Sequence, residues 1–244
     1  LAALNYWKVP ILGLLAFFII LTPSRPDGLI HAYMKKDIEW GEEYFYGVGR
    51  TATILMREAQ GFINLSSNGL SESSIGRKGM PPFNLSQKWL SGLPALARPE
   101  AQTALIVGYG GGIALEGIPP NIRQTHVIEL EPMVIEANKS VSGLRELDPL
   151  SQPSTRLVVN DARNAIMLTG RKYDIIVSQP SHPWTGGASH LYTREFLQLA
   201  KDTEVCNKEF KVDELTRHFS TANAQEALAA SDKIGFPCMV RCAF

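Results

Sequence analysis

From residue 103 to residue 201 the chain alternates short apolar runs with helix-like segments, and few folds accept that pattern. Residues 103–107, 125–128, 156–159 and 173–177 are nearly unbroken β-prone runs. Strands of that kind must be covered on both faces, because the side chains of both faces favour leaving water. The segments between them, 113–117, 132–141 and 163–169, and the one that follows, 193–201, read as helices, with Pro132 near the first turn of its own. Strands joined through helices run parallel, so the pattern predicts an α/β fold built on a doubly wound parallel sheet over 85–201.

Ligands of such sheets bind beyond the carboxyl ends of the strands, which directs attention to the residues found there. Gly108, Gly110 and Gly112 follow the first strand and precede a helix. They form either a tight strand-to-helix turn or a place where a ligand meets backbone and helix N-terminus. Glu129 ends the second strand, about 20 residues further on, where a carboxylate can accept hydrogen bonds from two ribose hydroxyls. Asp161 follows the third strand. Together these residues point to an adenosine-bearing ligand, while Glu129 and Asp161 as helix caps is the rival reading. The fourth strand runs into Ser178-Gln-Pro-Ser-His-Pro-Trp-Thr-Gly-Gly-Ala-Ser189, a loop of the kind that serves as a lid or substrate gate. His182 within it has a side chain that can move protons near neutral pH, with a surface or structural histidine as the rival reading. Trp184 is suited to stacking on a ligand or to plugging the core.

Ahead of the alternating region, residues 42–80 carry short β-rich runs separated by Gly47, Gly49 and Gly61, with a turn at Ser67-Asn68-Gly69. A small antiparallel β-domain is expected there, leaning on its neighbour for stability. Residues 9–21 are uncharged and apolar. Alone they fall short of a bilayer core, yet with their flanks they predict a membrane helix within 1–24, against an interfacial or buried helix or a signal remnant. Arg25, Lys35 and Lys36 would then place the following domain on the cytoplasmic side. The chain opens on Leu1, and its start is read as cut from something longer. Residues 202–244 differ in texture and are set apart as an unrelated tail.

The 24 basic residues cancel the 24 acidic ones, which argues against a nucleic-acid partner. The three cysteines, Cys206, Cys238 and Cys242, are too few for a disulfide framework and lack paired zinc-ligand spacing, so no metal is expected.

The runs Gln87-Lys-Trp-Leu-Ser-Gly-Leu-Pro94, Leu105-Ile-Val-Gly-Tyr-Gly-Gly-Gly112, Val127-Ile-Glu-Leu-Glu-Pro132, Asn160-Asp-Ala-Arg163 and Tyr173-Asp-Ile-Ile-Val-Ser-Gln-Pro-Ser-His-Pro-Trp184 resemble the spermidine synthase (polyamine aminopropyltransferase) family. The likeness is greatest to its membrane-fused members. It implies a Rossmann-like sheet of the class I methyltransferase type, preceded by the small β-domain, with the apolar start as the last piece of a membrane domain. It further implies that Gln87, the Gly108–Gly112 loop, Glu129, Asp161 and Ala162 bind decarboxylated S-adenosylmethionine. A polyamine amine would attack the carbon beside the sulfonium, and a homodimer is compatible with the resemblance. The chain departs from the family where Gly111 stands for an acid of the glycine loop, where Gln179 stands for the catalytic aspartate, and where Ser86 stands for a tyrosine. With Gln179 unable to take a proton, His182 is the candidate base. The alternatives are a methyltransferase using S-adenosylmethionine and a catalytically inactive nucleoside-binding module. Asp232-Lys-Ile-Gly-Phe-Pro-Cys-Met-Val-Arg241 resembles a fragment of a carbamoyl-phosphate synthase ATP-grasp domain. The parallel sheet is accordingly expected to be truncated.

Overall fold

The computed structural model describes residues 8–21, 40–81, 84–178 and 188–203 of the 244. The chain divides into two units, residues 1–39 and 40–244.

In the first unit a single helix, α1 (Lys8–Leu21), is described. Among its described side chains, Ile11, Leu12, Leu14, Leu15, Phe17 and Phe18 are each between 54% and 64% exposed. At 1.5 Å per residue its 14 residues extend about 21 Å, short of a hydrocarbon core of about 30 Å. No helix among the described residues is long and apolar enough to cross a membrane, in contrast to the spanning helix expected within 1–24.

The second unit opens with an antiparallel meander of β1 (Trp40–Val48), β2 (Thr53–Ala59), β3 (Phe62–Ser67) and β4 (Leu70–Ile75), paired in that order. Two-residue turns set its register. Gln60-Gly61 and Asn68-Gly69 all have positive φ, the backbone that matches the twist of a tight hairpin. Asn68 also accepts a hydrogen bond from Thr53 N through Oδ1 at 2.9 Å, which ties the second turn to β2. Between β3 and β4, Leu65 faces Ser73 while Ser66 faces Ser71. Glu72 is therefore an extra residue on β4, a β-bulge.

The remainder follows the predicted alternation: α2 (Leu85–Ala97), β5 (Thr103–Val107), α3 (Ile113–Glu116), β6 (Gln124–Glu129), α4 (Pro132–Ser140), β7 (Thr155–Val159), α5 (Ala162–Leu168), β8 (Ile175–Ser178) and α6 (Arg194–Thr203). The four strands β5 to β8 are parallel, in spatial order β7-β6-β5-β8. This is the expected α/β architecture, with the antiparallel sheet preceding it. The chain winds outward from β5 through β6 to β7, then returns to place β8 on the other side of β5. That reversal opens a crevice at the end of β5.

Alternation along β5 feeds two cores. Ala104 and Ile106 join Ile54, Met56, Ile63, Leu65 and Ile75 of the antiparallel sheet and residues of α3 and α4. Leu105 and Val107 instead pack with Ile166 of α5 and Phe196 of α6 on the opposite face. The first core is shared by the two sheets, which supplies the neighbour a thin meander needs.

At Gly117 the end of α3 lies against α2 so closely that a Cβ would stand 2.0 Å from the Lys88 carbonyl oxygen and 2.7 Å from its carbon. Replacing Gly117 with Ala is expected to destabilise the fold by about 2 kcal/mol through overpacking against rigid backbone. A lowered denaturant midpoint at unchanged slope checks this, and an unaltered midpoint would refute the close approach.

Candidate active site

At the carboxyl end of β5 the backbone enters the left-handed region three times within five residues, at Gly108 (φ 86°), Gly110 (φ 53°) and Gly112 (φ 73°). Glycine takes these angles without a Cβ penalty. The resulting loop is held from two sides. Oε2 of Glu129 accepts from the backbone N–H of Tyr109 at 2.8 Å and of Gly110 at 3.4 Å, while its Oε1 accepts from Glu131 N at 2.9 Å. On the carbonyl side, Asn138 Nδ2 donates to the Gly110 oxygen at 2.8 Å and Arg145 Nη2 donates to the Gly111 oxygen at 2.9 Å. Arg145 is only 4% exposed and pairs with Glu116 at 2.6 Å, so its buried charge is compensated.

Above this loop lies a cavity of about 290 Å³, bounded by both sheets. Pockets that take small ligands begin near that size, at roughly 300 Å³. Gln87, Gly108, Gly110, Glu129, Asp161 and Ala162 all line it. Gly112 lies outside that lining. It caps α3 in the left-handed conformation, and a Cβ there would stand 2.7 Å from Tyr109 Oη. Gln179 and His182 fall outside the described residues, as does Trp184. The last described residue before them, Ser178, pairs in register with Val107, which immediately precedes the glycine loop.

The two readings of the carboxylates separate. Asp161 is the N-cap of α5, accepting from Asn164 N at 2.9 Å, and it also faces the cavity. Glu129 caps no helix. That task at α4 belongs to Glu131, which accepts from Met133 N at 3.2 Å and, across the seam between the sheets, from Thr51 N and Thr51 Oγ1 at 2.8 Å each. Burial pushes the Glu131 carboxyl up, but hydrogen bonds from Thr51 N, Met133 N, the Thr51 hydroxyl and Ala52 N outweigh it and hold it below the ordinary glutamate value of 4.5. A Cβ on Gly49 would stand 2.0 Å from Glu131 Oε1, so only glycine leaves room for this arrangement.

Sequence reasoning missed the contribution of the antiparallel sheet. Thr51, Glu72 and Ser73 line the same cavity. A Cβ on Gly111 would stand 2.3 Å from Ser73 Oγ, 2.9 Å from Ser73 Cβ and 3.1 Å from Ile75 Cγ1. Strand β4 therefore occupies the space an acidic side chain at 111 would need. For Glu131 a signal existed: an acid followed by proline at the start of a helical pattern marks an N-cap. For Glu72 and Ser73 there was none, since a polar stretch such as Ser71-Glu-Ser-Ser74 gives no sign of which face is covered.

With this geometry in view, comparison with known proteins identifies the class. Residues 84–209 match the spermine/spermidine synthase domain, and the chain belongs to that family. It is 26% identical over 196 residues to polyamine aminopropyltransferase 2 of Aquifex aeolicus (strain VF5), spanning 78% of this chain and 38% of that protein. It is 30% identical over 108 residues to the polyamine aminopropyltransferase of Yersinia pestis (strain Pestoides F), spanning 43% of this chain and 36% of the relative. The chain thus covers well under two thirds of the length of these curated relatives. Among solved structures, a spermidine synthase in complex with the transition-state analogue AdoDATO superposes with a TM-score of 0.60 at 19% identity, covering 68% of this chain and 56% of that one. Spermidine synthase from Thermotoga maritima gives 0.55 at 18% identity, covering 68% and 55%. Both likenesses concern the fold.

The depressed Glu131 carboxyl has a consequence for stability. Its contribution is present above the ordinary value of 4.5 and is lost as pH falls through the lower folded value. Glu131→Gln is expected to lower the denaturation midpoint at pH 7, with the gap to the parent narrowing as pH drops below 4.5. A gap of constant size across that range would contradict the charge-assisted junction.

Proposed function

We propose that this chain carries the nucleoside site of a polyamine aminopropyltransferase, which moves the aminopropyl group of decarboxylated S-adenosylmethionine to a polyamine amine. The observation that carries this reading is the Glu129 carboxylate at the end of β6, 8% exposed and facing the cavity beside the glycine loop. Three backbone N–H groups approach it, and a carboxylate offers about four acceptor directions, leaving capacity for a ribose hydroxyl. Asp161 and Ala162 flank the same hollow and suit the purine side, while Gln87 closes it from α2. The family membership and the names of the relatives support the choice of substrates.

In the reaction, the lone pair of an acceptor nitrogen displaces the thioether from the carbon beside the sulfonium. One C–N bond forms, one C–S bond breaks, and methylthioadenosine leaves. An alkylammonium has a pKa near ~10, so it must lose a proton first. We assign that proton to His182 and the orientation of the amine to Gln179, the residue directly after Ser178. A second reading, nucleoside binding with methyl transfer or with no transfer, is favoured by the crowding at Gly111 and by glutamine at 179.

Calorimetric titration separates these readings. Tight binding of the decarboxylated sulfonium nucleoside, with product formed from putrescine, supports aminopropyl transfer. Preference for ordinary S-adenosylmethionine would favour a methyltransferase, and binding without turnover an inactive module. Glu129→Ala should weaken methylthioadenosine binding by about 2 kcal/mol, the cost of losing one charge-assisted hydrogen bond, and an unchanged affinity would reject the ribose assignment. His182→Ala is expected to flatten the dependence of rate on pH near neutrality. An identical profile would remove it as the base.

We also infer that α1 inserts into a membrane with the catalytic unit on the cytoplasmic side. The support is the ring of exposed Ile, Leu and Phe side chains on α1 and the basic residues Arg25, Lys35 and Lys36 beyond it. The full chain should co-float with phospholipid vesicles, and a Leu14→Lys, Phe17→Lys variant should remain at the bottom of the gradient. Equal flotation of the two would refute the anchor.

A further inference from the structure

We propose that a second cavity, on the face of the parallel sheet that α5 covers, binds the phosphate group of a small soluble molecule between Arg156 and Arg171. The proposal is independent of the aminopropyltransferase reading. This cavity holds about 300 Å³, near the lower size of pockets that take small ligands, and among the described residues it shares only Ile128 and Asn160 with the nucleoside site. Parallel pairing puts Leu105, His126 and Arg156 in one row across β5, β6 and β7. Residues paired in this way project to the same face, and Leu105 packs with Ile166, which identifies that face as the α5 side. Arg171 arrives from the segment that follows α5.

A buried polar pair belongs to the wall. His126, 5% exposed, shares a hydrogen bond of 2.7 Å between Nδ1 and Tyr173 Oη, while its Nε2 has no hydrogen-bond partner among the described residues. The titratable side chains lining the cavity are His126, Arg156, Arg171 and Tyr173, with no carboxylate among the described residues. Nor does either guanidinium form an ion pair among the described residues. Both charges reach the buried pair: burial first, then Arg171 and Arg156, hold His126 below the ordinary histidine value of 6.5. Two cations with no acid to answer them favour an anion. A phosphate monoester carries about 1.5 to 2 negative charges near neutral pH, and each guanidinium presents a planar fork that matches phosphate oxygens. The cavity also reaches Leu105 and Ile166, 1% and 2% exposed, so its occupant enters between the sheet and the helix. That depth suits a free molecule with a compact apolar part better than a headgroup held in a bilayer.

Titration of the full chain with inorganic phosphate, against sodium chloride at matched ionic strength, tests the site through the NMR ring signals of His126, assigned with a His126→Asn variant. In the parent, phosphate is expected to shift these signals saturably and to raise the pH midpoint of His126, because an anion beside the imidazole offsets the two guanidinium charges. Arg156→Gln and Arg171→Gln should each weaken phosphate binding about tenfold or more. Both variants should unfold as cooperatively as the parent, since neither arginine has an ion partner to lose among the described residues. Arg156→Lys, which keeps the charge without the fork, should recover part of the loss. A response no larger than that to chloride, or equal phosphate affinity in the parent and the double glutamine variant, would overturn the site. Displacement of the bound phosphate by phosphatidic acid vesicles would overturn the soluble ligand in favour of a lipid headgroup.

Discussion

The clamp on the glycine loop is the interaction on which the rest of the site depends. A run of glycines has more conformational freedom to lose than any other sequence, and its left-handed angles are not self-sustaining. Here the loss is offset by partners on both polar edges. Glu129 gathers the amides of Tyr109 and Gly110, while Asn138 and Arg145 hold the carbonyls of Gly110 and Gly111. Each partner comes from a different place in the chain: the end of β6, the middle of α4 and the segment after it. The loop therefore takes its shape only once β6 and α4 have packed. Glu129, which fixes this backbone, also lines the cavity.

The cavity is a property of the seam between the sheets. Its floor is the end of the parallel sheet, but its far wall is β4 and the β1–β2 connection. Two close approaches hold the seam shut. Glu131 reaches from the start of α4 to Thr51, over a glycine at 49 that no side chain could replace without displacing the carboxylate. Ser73 meets Gly111 where a Cβ would fall inside van der Waals contact. The second contact explains a departure that looks like a loss of function when the loop is considered alone. Glycine at 111 is what the packing of β4 demands.

The parallel sheet was legible because buried strands are written as apolar runs and the helices between them have a different period. The order of elements from β5 to α6, the glycine turn and the carboxylate closing β6 all followed from that contrast. Boundaries moved by one or two residues; β8, for example, begins at Ile175 rather than at Tyr173. The antiparallel sheet was harder. Asn68-Gly69 announced one hairpin, but Gln60 takes a positive φ that its side chain does not advertise. Strand β4, with three serines and a glutamate in six residues, carries almost no apolar pattern. Its place is set by register with β3 and by contact with the glycine loop, which are non-local and leave no mark in the local text. The apolar segment near the start was legible as a helix, but the described 14 residues stop short of a bilayer's thickness.

With basic and acidic residues in balance, any preference the cavity has among charged groups arises from the side chains that line it. The carboxylates on the cavity wall are held by backbone amides to different degrees, Asp161 by one and Glu129 by three. Those that accept several amide hydrogen bonds, Glu129 and Glu131, have part of their charge already answered by the backbone, and suit neutral donors such as hydroxyls.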